Sequence, residues 1–350
     1  MAEEQMTLDK YLDRFVADGG RADVAATVAA LAGAARALSR EIAIGPLAGD
    51  MAAATGAGDA GGGDQQKRLD LEANTVFRNA LLGAPVAVFG SEEEDTADVL
   101  DASKPLAVAI DPLDGSSNIE TNVSIGTIFA IFPVPASGAG SIESALMQPG
   151  RDQLAAGFFV YGPQTTLIVT LRAGTHAFTL DPRDGAFRLT TANVKVPEGK
   201  REYAINASNY RFWPRAIRTY IDDLVAGADG PRGKDFNMRW VASMVAEATR
   251  IMVRGGVYIY PRDSRKGYEN GRLRLVYEAN PIALVFEQAG GGATDGVNRI
   301  LDIMPTSLHQ RVPLVFGSAD KVQRIARYHT DAPSSRETSP LFSERGLFRV

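Results

Sequence analysis

The sequence predicts a mixed α/β protein of two domains. Apolar residues recur at helical spacing over 8–15 and 24–42, which is typical of amphipathic helices. Short β-type runs follow between residues 86 and 180, and longer alternating α and β units begin near Arg201. A chain of 350 residues is long enough for two domains that each bury a core. We therefore expect an N-terminal domain over 1–200, a second domain over 201–330 and a tail over 331–350.

The individual elements follow from the period of the apolar residues. Helical spacing resumes over 69–80 and again over 217–224 and 241–252. Strands are predicted at 86–89, 106–110, 128–134, 157–161, 166–171, 176–180 and 257–260. Pro281 predicts a kink or break within the apolar stretch 275–289, and the Ala- and Gly-rich segment 52–63 predicts a mobile loop.

Composition excludes several classes of protein. With 45% apolar and 23% charged residues the chain is typical of a soluble globular protein, and no apolar run approaches the roughly 18 to 20 residues of a membrane span. The net charge of −5 excludes a general nucleic-acid surface. The acidic start, Met-Ala-Glu-Glu-Gln, is unlike a secretory signal, so we expect a cytoplasmic protein without membrane or nucleic-acid partners.

Metal and redox chemistry are restricted in the same way. The chain has no cysteine, which excludes disulfides, thiolate metal sites, cysteine nucleophiles and thioredoxin-type control. Its histidines, at 176, 309 and 329, are too scattered to suggest a histidine-built zinc site. A metal in this protein is expected to have oxygen ligands.

Carboxylates are concentrated at predicted strand ends and loops. They are Asp64, Asp70, the run Glu92, Glu93, Glu94 and Asp95, and then Asp111 and Asp114. Asp111 ends the apolar strand Pro-Leu-Ala-Val-Ala-Ile, Pro112 fixes the turn and Gly115 lets the backbone approach a ligand. Asp111 and Asp114 are therefore predicted to point at one place.

Convergence of these carboxylates requires cations. Two like charges about 4 Å apart at an effective dielectric near 20 repel by about 4 kcal/mol. All-oxygen ligands select hard ions such as Mg²⁺ or Mn²⁺. Paired divalent ions among carboxylates commonly serve phosphoryl chemistry, so the residues favour a metal-dependent phosphatase.

The octapeptide Asp-Pro-Leu-Asp-Gly-Ser-Ser-Asn at 111–118 resembles the metal-site signature of the class I fructose-1,6-bisphosphatases, bacterial form. Inositol monophosphatases share the Asp-Pro-(Ile/Leu)-Asp-Gly core but usually continue with Thr. The resemblance covers nearly the whole chain outside the tail, including 7–8, 63–70, 91–93, 148–151, 273–281 and 302–311. It implies the layered α/β/α/β/α sandwich of the fructose bisphosphatase and inositol monophosphatase superfamily. It also implies a homotetramer and Mg²⁺-dependent hydrolysis of the 1-phosphate of fructose 1,6-bisphosphate.

The resemblance also assigns roles around the metal. By position, two or more Mg²⁺ ions would be bound by Glu92, Asp111, the carbonyl of Leu113, Asp114 and Glu278. The proton relay that activates the attacking water would consist of Glu93 and Asp70, with Asp64 contributing from the mobile loop. These assignments agree with the residue-level picture, because a carboxylate among others has a raised pKa and can hold a proton transiently.

The same resemblance assigns substrate contacts. The reacting phosphate would lie against Asp114, Gly115, Ser116 and Ser117. The 6-phosphate would be held by Asn206, Tyr210, Tyr260, Arg272 and, from a neighbouring subunit, Arg239.

Three stretches depart from the family pattern. Trp240 stands where a phosphate-binding tyrosine is usual, and an indole N–H donates but offers no acceptor. Arg272 replaces a lysine and substitutes a bidentate fork for a point charge. Residues 24–28 lack the AMP-binding turn of animal enzymes, which predicts no AMP inhibition of that type.

The G-x-G-x-x-G match at 56–61 follows no strand and is interpreted as a loop rather than as a dinucleotide-binding motif.

Other functions stay open at this stage. The protein could be a sedoheptulose-1,7-bisphosphatase or a bifunctional enzyme, since the two sugar bisphosphates differ by one carbon. More distant alternatives are an inositol monophosphatase and an inactive sugar-phosphate sensor. The sequence does not decide between gluconeogenesis and the carbon-fixing Calvin cycle, and it does not identify allosteric ligands.

Overall fold

The structure is a computed structural model that describes residues 6–45, 68–135 and 142–330. Asp64, the Ala- and Gly-rich segment 52–63 with its G-x-G-x-x-G match, and the tail 331–350 lie outside these ranges. The described helices are α1 (Leu8–Ala17), α2 (Ala22–Ile44), α3 (Arg68–Leu82), α4 (Arg215–Val225), α5 (Met244–Arg254), α6 (Asn280–Gln288) and α7 (Ala319–Thr330).

A large sheet of eight strands forms the centre of the first domain. Its strands are β1 (Val86–Ser91), β2 (Asp98–Val99), β3 (Leu106–Asp114), β4 (Ile125–Pro133), β5 (Ala155–Tyr161), β6 (Thr165–Thr170), β7 (Thr175–Leu180) and β8 (Phe187–Thr191). Their order is β2-β1-β3-β4-β5-β6-β7-β8. Only the β1–β3 pair is parallel, so from β3 onward the sheet is the antiparallel meander that the short β-type runs predicted.

A smaller sheet of five strands belongs to the second domain. Its strands are β9 (Glu202–Ala204), β10 (Asn237–Met238), β11 (Val257–Tyr260), β13 (Gly292–Thr294) and β15 (Leu314–Gly317), in the order β10-β9-β11-β15-β13. A separate two-stranded ribbon joins β12 (Leu273–Arg274) to β14 (Arg311–Val312).

The elements stack in five layers. Helices α1, α2 and α3 cover one face of the large sheet, where Leu31 and Phe77 pack with Phe129. Helices α5 and α6 fill the space between the two sheets, and α4 and α7 cover the outer face of the small sheet. This arrangement confirms the predicted α/β/α/β/α sandwich.

The strands separate these layers by alternation of side chains. Phe159 belongs to the core beneath α1–α3, whereas the adjacent Phe158 belongs to the core around α5 and α6. In β11 the residue Ile259 packs toward α4 and α7, and Tyr258 packs toward the middle layer. A period of two therefore builds a helix layer on each face of each sheet.

Pro281 marks a change of helix type, as its position in the apolar stretch predicted. A π-helical turn over Leu275–Ala279 precedes α6, and Pro281 lies in the first turn of α6. An N-terminal position suits proline because the first amide N–H groups of a helix lack intrahelical partners. The break places Glu278 in the π-helical turn rather than in the α-helix.

Helix α2 is more apolar than the sequence analysis predicted. Among the described residues it is the one helix whose length and composition would allow it to cross a membrane. The sequence analysis placed this helix over 24–42, within two residues of its observed ends, but it did not count the alanines toward an apolar run of membrane-spanning length. In the structure 56% of its most apolar window is buried, with Val28, Leu31 and Leu38 in the core. A buried core helix meets the same criteria as a span.

Gly126 of β4 provides a stability test of the contact between the large sheet and α5. A Cβ atom added there would lie 2.1 Å from the carbonyl oxygen of Phe159 and 2.6 Å from Cγ2 of Val245. We expect Gly126→Ala to lower the free energy of unfolding by about 1–3 kcal/mol, the usual cost of overpacking. Urea denaturation measures this effect.

The matched control for that substitution is Gly83→Ala. An added Cβ at Gly83 meets no atom within 4 Å, and this glycine does not need a left-handed backbone. Its unfolding midpoint should stay close to that of the wild type. Equal losses from the two substitutions would contradict the packing argument.

Candidate active site

The acidic end of β3 is the centre of the candidate site. All nine residues of β3 are buried, and Asp111 and Asp114 are only 6% and 8% exposed. Pairing with β4 shifts register between them, since Asp111 faces Ile128 and Asp114 faces Gly126. The amide N–H of Leu113 donates to Asp111 Oδ1 at 3.0 Å and folds the turn back on the first carboxylate. The irregularity thus places both acids at one end of a buried strand, as predicted.

Asp114 also binds the start of α5. The amide N–H of Val245 donates to its Oδ2 at 3.0 Å, and Ser243 caps the helix by accepting a hydrogen bond from the amide of Ala246. Burial raises the pKa of Asp114 to about 6, although these helix N–H groups favour its charged form. The helix terminus therefore stabilises one of the buried charges.

Gly115 follows in the left-handed conformation, with φ +81°, and starts a 3₁₀ turn over Ser116–Thr121. An added Cβ would lie 3.3 Å from that of Ser243. Within the turn, Asn118 donates from Nδ2 to the carbonyl of Ala242 at 2.9 Å. Ser116 is half-buried and Ser117 is exposed, so the predicted phosphate-contacting stretch borders the acids and opens toward solvent.

Glu278 is brought to the same place from the second half of the chain. It lies in the π-helical turn, is 7% exposed, and its Oε2 accepts the amide N–H of Arg274 at 2.5 Å. Burial and the charge of Glu92 raise the pKa of Glu278 to about 8. The sequence linked Glu278 to the acids only through the family resemblance, because it is remote from them along the chain.

Asp111, Asp114 and Glu278 form a buried acid triad. Carboxylate oxygens from the three residues lie within 4.8 Å of one another. Burial and the charges of Glu92, Asp114 and Glu278 raise the pKa of Asp111 well above its usual range. Hard divalent cations take such oxygen-only ligand sets, and their charge would relieve the repulsion between the buried carboxylates. The triad therefore fits a divalent metal ion.

Arg274 partly balances this negative charge and was missed by the sequence analysis. Its Nη2 lies 2.8 Å from Oε1 of Glu92, and the two side chains are 18% and 20% exposed. Glu92 itself follows β1, where its amide N–H donates to the carbonyl of Ile110. One arginine thus contacts Glu92 through its guanidinium and Glu278 through its backbone. The sequence signal was the Leu-Arg-Leu-Val-Tyr-Glu stretch, in which only the glutamate had been singled out.

Of the predicted relay acids, Glu93 lies beside the triad and Asp70 lies on a helix that packs against the large sheet. Glu93 is half-buried, and its charge contributes to the raised pKa of Asp111. Asp70 lies in the first turn of α3 and is 2% exposed. Helix α3 packs on β1 and β3, the two strands that carry the acids. Asp64 falls outside the described residues.

Aromatic residues of the second domain border the triad. Trp240 stacks on Tyr258 at 5.9 Å between ring centroids, and Tyr260 lies 6.2 Å from both rings. Burial, Tyr260 and the charges of Asp114 and Glu278 raise the pKa of Tyr258. The aromatic group and the triad therefore share one region, and Trp240 takes part through ring contacts.

The other predicted phosphate ligands lie on loops of the second domain, where their described contacts are local. Asn206 caps a 3₁₀ turn by accepting from the amide of Ser208, and Tyr210 donates its hydroxyl to the carboxylate of exposed Asp222 at 2.7 Å. Arg272 lies over the ring of Tyr268 at 4.6 Å. Arg239 is exposed after the edge strand β10, a position that leaves its side chain outside the described core.

Neutralising one member of the triad should stabilise the metal-free protein. Asp111→Asn keeps the oxygen that accepts the Leu113 amide and is neutral without binding a proton. In the presence of a chelator we expect its free energy of unfolding to rise by about 1–2 kcal/mol, because the folded protein no longer has to hold a charge or take up a proton at this buried position. Denaturant unfolding with and without added Mg²⁺ measures this change, and the variant should gain less stability from Mg²⁺ than the wild type.

Arg274→Met is the control of opposite sign. It keeps a long apolar stem but removes the cation beside Glu92, so the metal-free protein should lose about 1–2 kcal/mol. Destabilisation by both substitutions would show that packing, rather than charge, governs this part of the protein.

Two family profiles match the chain: "Fructose-1-6-bisphosphatase, N-terminal domain" over residues 7–192 and "Fructose-1-6-bisphosphatase, C-terminal domain" over 196–330. Among curated relatives, class 1 fructose-1,6-bisphosphatase 1 of Xanthobacter autotrophicus is 55% identical over 95% of this chain and 88% of its own length. The class 1 enzyme of Sinorhizobium medicae is 52% identical over 98% and 99%. The crystal structure of Leishmania major fructose-1,6-bisphosphatase in holo form has a TM-score of 0.84 and 34% identity, over 93% of this chain and 99% of that one. The chain belongs to the class I fructose-1,6-bisphosphatase family, whose members are metal-dependent phosphatases of carbohydrate metabolism.

Proposed function

We propose that this protein hydrolyses the 1-phosphate of fructose 1,6-bisphosphate and releases fructose 6-phosphate and inorganic phosphate. The observation that carries this proposal is the buried acid triad at the end of β3, adjacent to the aromatic and polar residues of the second domain. A phosphatase of this kind needs a cation site and a separate grip on the distal phosphate. The first half of the chain, together with Glu278 from the second half, supplies the cation site, and the second half is proposed to supply the distal-phosphate contacts.

The proposed metal is Mg²⁺, with two or more ions per subunit and Mn²⁺ as a substitute. Asp111, Asp114, Glu278, Glu92 and the carbonyl of Leu113 would hold it. Bound Mg²⁺ would neutralise charge on the transferred phosphoryl group and lower the pKa of a bound water. The support is the oxygen-only donor set and the raised pKa values of the triad, which favour occupation by cations.

Proton transfer is assigned to Glu93 and Asp70. Glu93 is half-buried beside the triad, and Asp70 is buried on the helix that packs against β1 and β3. A carboxylate beside the attacking water can accept its proton and pass it on, so Glu93 is proposed as the acceptor and Asp70 as its partner in the relay. Asp64 is proposed to contribute from its own segment. The amide N–H groups of Ser116 and Ser117 are proposed to orient the reacting phosphate with Asp114 and Gly115.

The distal phosphate is proposed to lie among Asn206, Tyr210, Tyr260 and Arg272. Tyr210 now donates to Asp222, so a bound phosphate would compete with that carboxylate for the hydroxyl. Arg272 provides a planar fork suited to a phosphate, and its stacking on Tyr268 limits its orientation. Arg239 is proposed to reach a neighbouring subunit of a homotetramer, which its exposed position permits.

We further propose a cytoplasmic location and a domain boundary near residue 200. The distance between the two matched profiles, which end at 192 and begin at 196, is compatible with that boundary. Gluconeogenesis and the Calvin cycle both use this reaction.

Sedoheptulose 1,7-bisphosphate is the alternative substrate. The feature that bears on it is Trp240, which stacks on Tyr258 where a phosphate-binding tyrosine is usual in the family. Phosphate release from the two sugars should be compared side by side with and without Mg²⁺. We expect the higher kcat/KM for fructose 1,6-bisphosphate and loss of both activities with chelator. Negligible hydrolysis of fructose 1,6-bisphosphate beside rapid hydrolysis of the heptulose would overturn the proposal.

Glu93→Gln tests the assignment of the proton acceptor. Removal of a general base typically costs about 10²–10⁴ in rate, so kcat should fall by that factor while substrate binding is retained. Steady-state phosphate release and calorimetric binding measure the two quantities. The control is Glu94→Gln, since the exposed Glu94 side chain accepts from Asn74 Nδ2 and glutamine keeps that acceptor. A comparable fall in both variants would contradict the specific role of Glu93.

Arg272→Gln tests the grip on the distal phosphate. It removes a charge from a group remote from the reacting bond, so KM should rise by about tenfold or more with a smaller change in kcat. Arg272→Lys should restore part of the affinity, because a point charge still attracts phosphate. A fall in kcat with unchanged KM would instead place Arg272 at the reacting phosphate.

A further inference from the structure

The second domain contains a cavity of about 530 Å³ that is separate from the acid triad. We call it the rear cavity. Its walls come from the starts of α4 and of the loop after β11, from the turn after β13 and from the end of α7, and they include Pro214, Arg262, Asn270, Asn298, Arg311 and His329. None of the residues assigned above to metal, relay or substrate binding lines it.

Two arginines on this wall have no acidic partner. Arg262 and Arg311 are exposed, and neither makes an ion pair with the part of the chain that the structure describes. The carboxylate next to Arg262 in sequence, Asp263, is engaged by Arg265. Their guanidinium donors are therefore available to a ligand.

The acids that line the rear cavity are engaged in their own turns. Asp295 accepts the amide N–H groups of Val297 at 2.7 Å and Asn298 at 2.6 Å. It also accepts from Nδ2 of Asn298 at 3.0 Å. Glu269 accepts the amide N–H of Gly267 at 2.7 Å. Hydrogen-bond donors of the same turns therefore already compensate these two charges.

Neutral donors add to the two arginines. Oε1 of Gln310 accepts hydrogen bonds from the amide N–H of Thr306 at 2.6 Å and from its hydroxyl at 2.9 Å. These bonds fix the orientation of the Gln310 amide and leave its Nε2 donors available to a ligand. The buried Nε2 of His329 has no hydrogen-bond partner among the described residues. A buried polar atom without a partner costs free energy, and a ligand atom in the cavity would recover it.

The remaining wall is apolar. Pro214, Ile217, Pro313 and Val315 line it, and Ile217 and Val315 are almost completely buried. A cavity of several hundred cubic ångströms with an apolar floor and a few polar groups is typical of small-molecule sites. The cavity is larger than a bare inorganic anion. The polar groups can therefore bind one end of a ligand while the apolar wall contacts the rest of it.

We propose that the rear cavity binds a small organic anion, a phosphorylated or carboxylated metabolite, through Arg262 and Arg311. Arg262 follows Tyr260 by two positions, and Asn270 precedes Arg272 by two. The loop between them is held by hydrogen bonds from the amide of Asp263 to the carbonyl of Tyr268 and from Ser264 to Phe212. A ligand in the rear cavity therefore contacts the same short loop that carries two of the proposed distal-phosphate residues. The binding proposal does not depend on which sugar the enzyme hydrolyses.

The test uses Trp213 as a reporter. Trp213 is buried and precedes Pro214 on the cavity wall, and Trp240→Phe leaves it the sole tryptophan. Fluorescence titrations with sulfate and with malonate, without Mg²⁺ or substrate, should show saturable binding. The stronger of the two anions would identify the phosphate-like or the carboxylate class. Arg262→Gln with Arg311→Gln should weaken binding by about tenfold or more, since two charged hydrogen bonds are lost.

Arg272→Gln is the control for binding at the substrate site. It should leave the Trp213 titration unchanged if the anion occupies the rear cavity. An unchanged titration in the Arg262 and Arg311 double variant would overturn the proposal, as would saturation that depends only on Arg272. Absence of saturable binding for both anions would overturn it as well. Because Arg262 and Arg311 are exposed, the double variant should keep the wild-type circular dichroism spectrum and melting temperature.

Discussion

The repulsion among buried carboxylates is the constraint on which the rest of this structure depends. Asp111, Asp114 and Glu278 are held within a few ångströms of each other where water is scarce. Such an arrangement is unfavourable by itself, and burial makes it more so. The surrounding fold compensates part of this negative charge. The N-terminus of α5 donates to Asp114, and a turn amide donates to Asp111. Arg274 contacts Glu92 through its guanidinium and Glu278 through its amide N–H. The remaining negative charge is what makes the place suited to cations.

The layered architecture explains how remote parts of the chain meet there. The fully buried strand β3 of the large sheet ends in Asp-Pro-Leu-Asp, and the middle helix layer brings α5 and the π-helical turn onto that end. Neither sheet alone would enclose the acids. The packing of the two sheets around α5 and α6 therefore forms the middle hydrophobic core and also encloses the acid triad.

Local pattern in the sequence was enough for some of these features and not for others. An apolar strand that runs into Asp-Pro-Leu-Asp-Gly indicated the β3 end directly, and Pro281 indicated the helix break. The role of Arg274 was not visible, because a guanidinium that pairs across the fold leaves no periodic signal. The ends of α2 were predicted to within two residues, but its overall apolar character was underestimated, because alanine is only weakly hydrophobic although it packs well in a core. Residues such as Arg262 and Arg311, distant in sequence, meet at one cavity only through tertiary structure.

The hydrogen bonds from Val245 to Asp114 and from Asn118 to Ala242 tie the turn after β3 to the start of α5. Both lie where the first half of the chain contacts the second, so any hinge motion that parts the two halves must break them. Because Asp114 belongs both to this contact and to the acid triad, a change in its charge also changes the hydrogen bond that it makes with the start of α5. The protection of the Val245 amide from solvent exchange is therefore a direct measure of this contact.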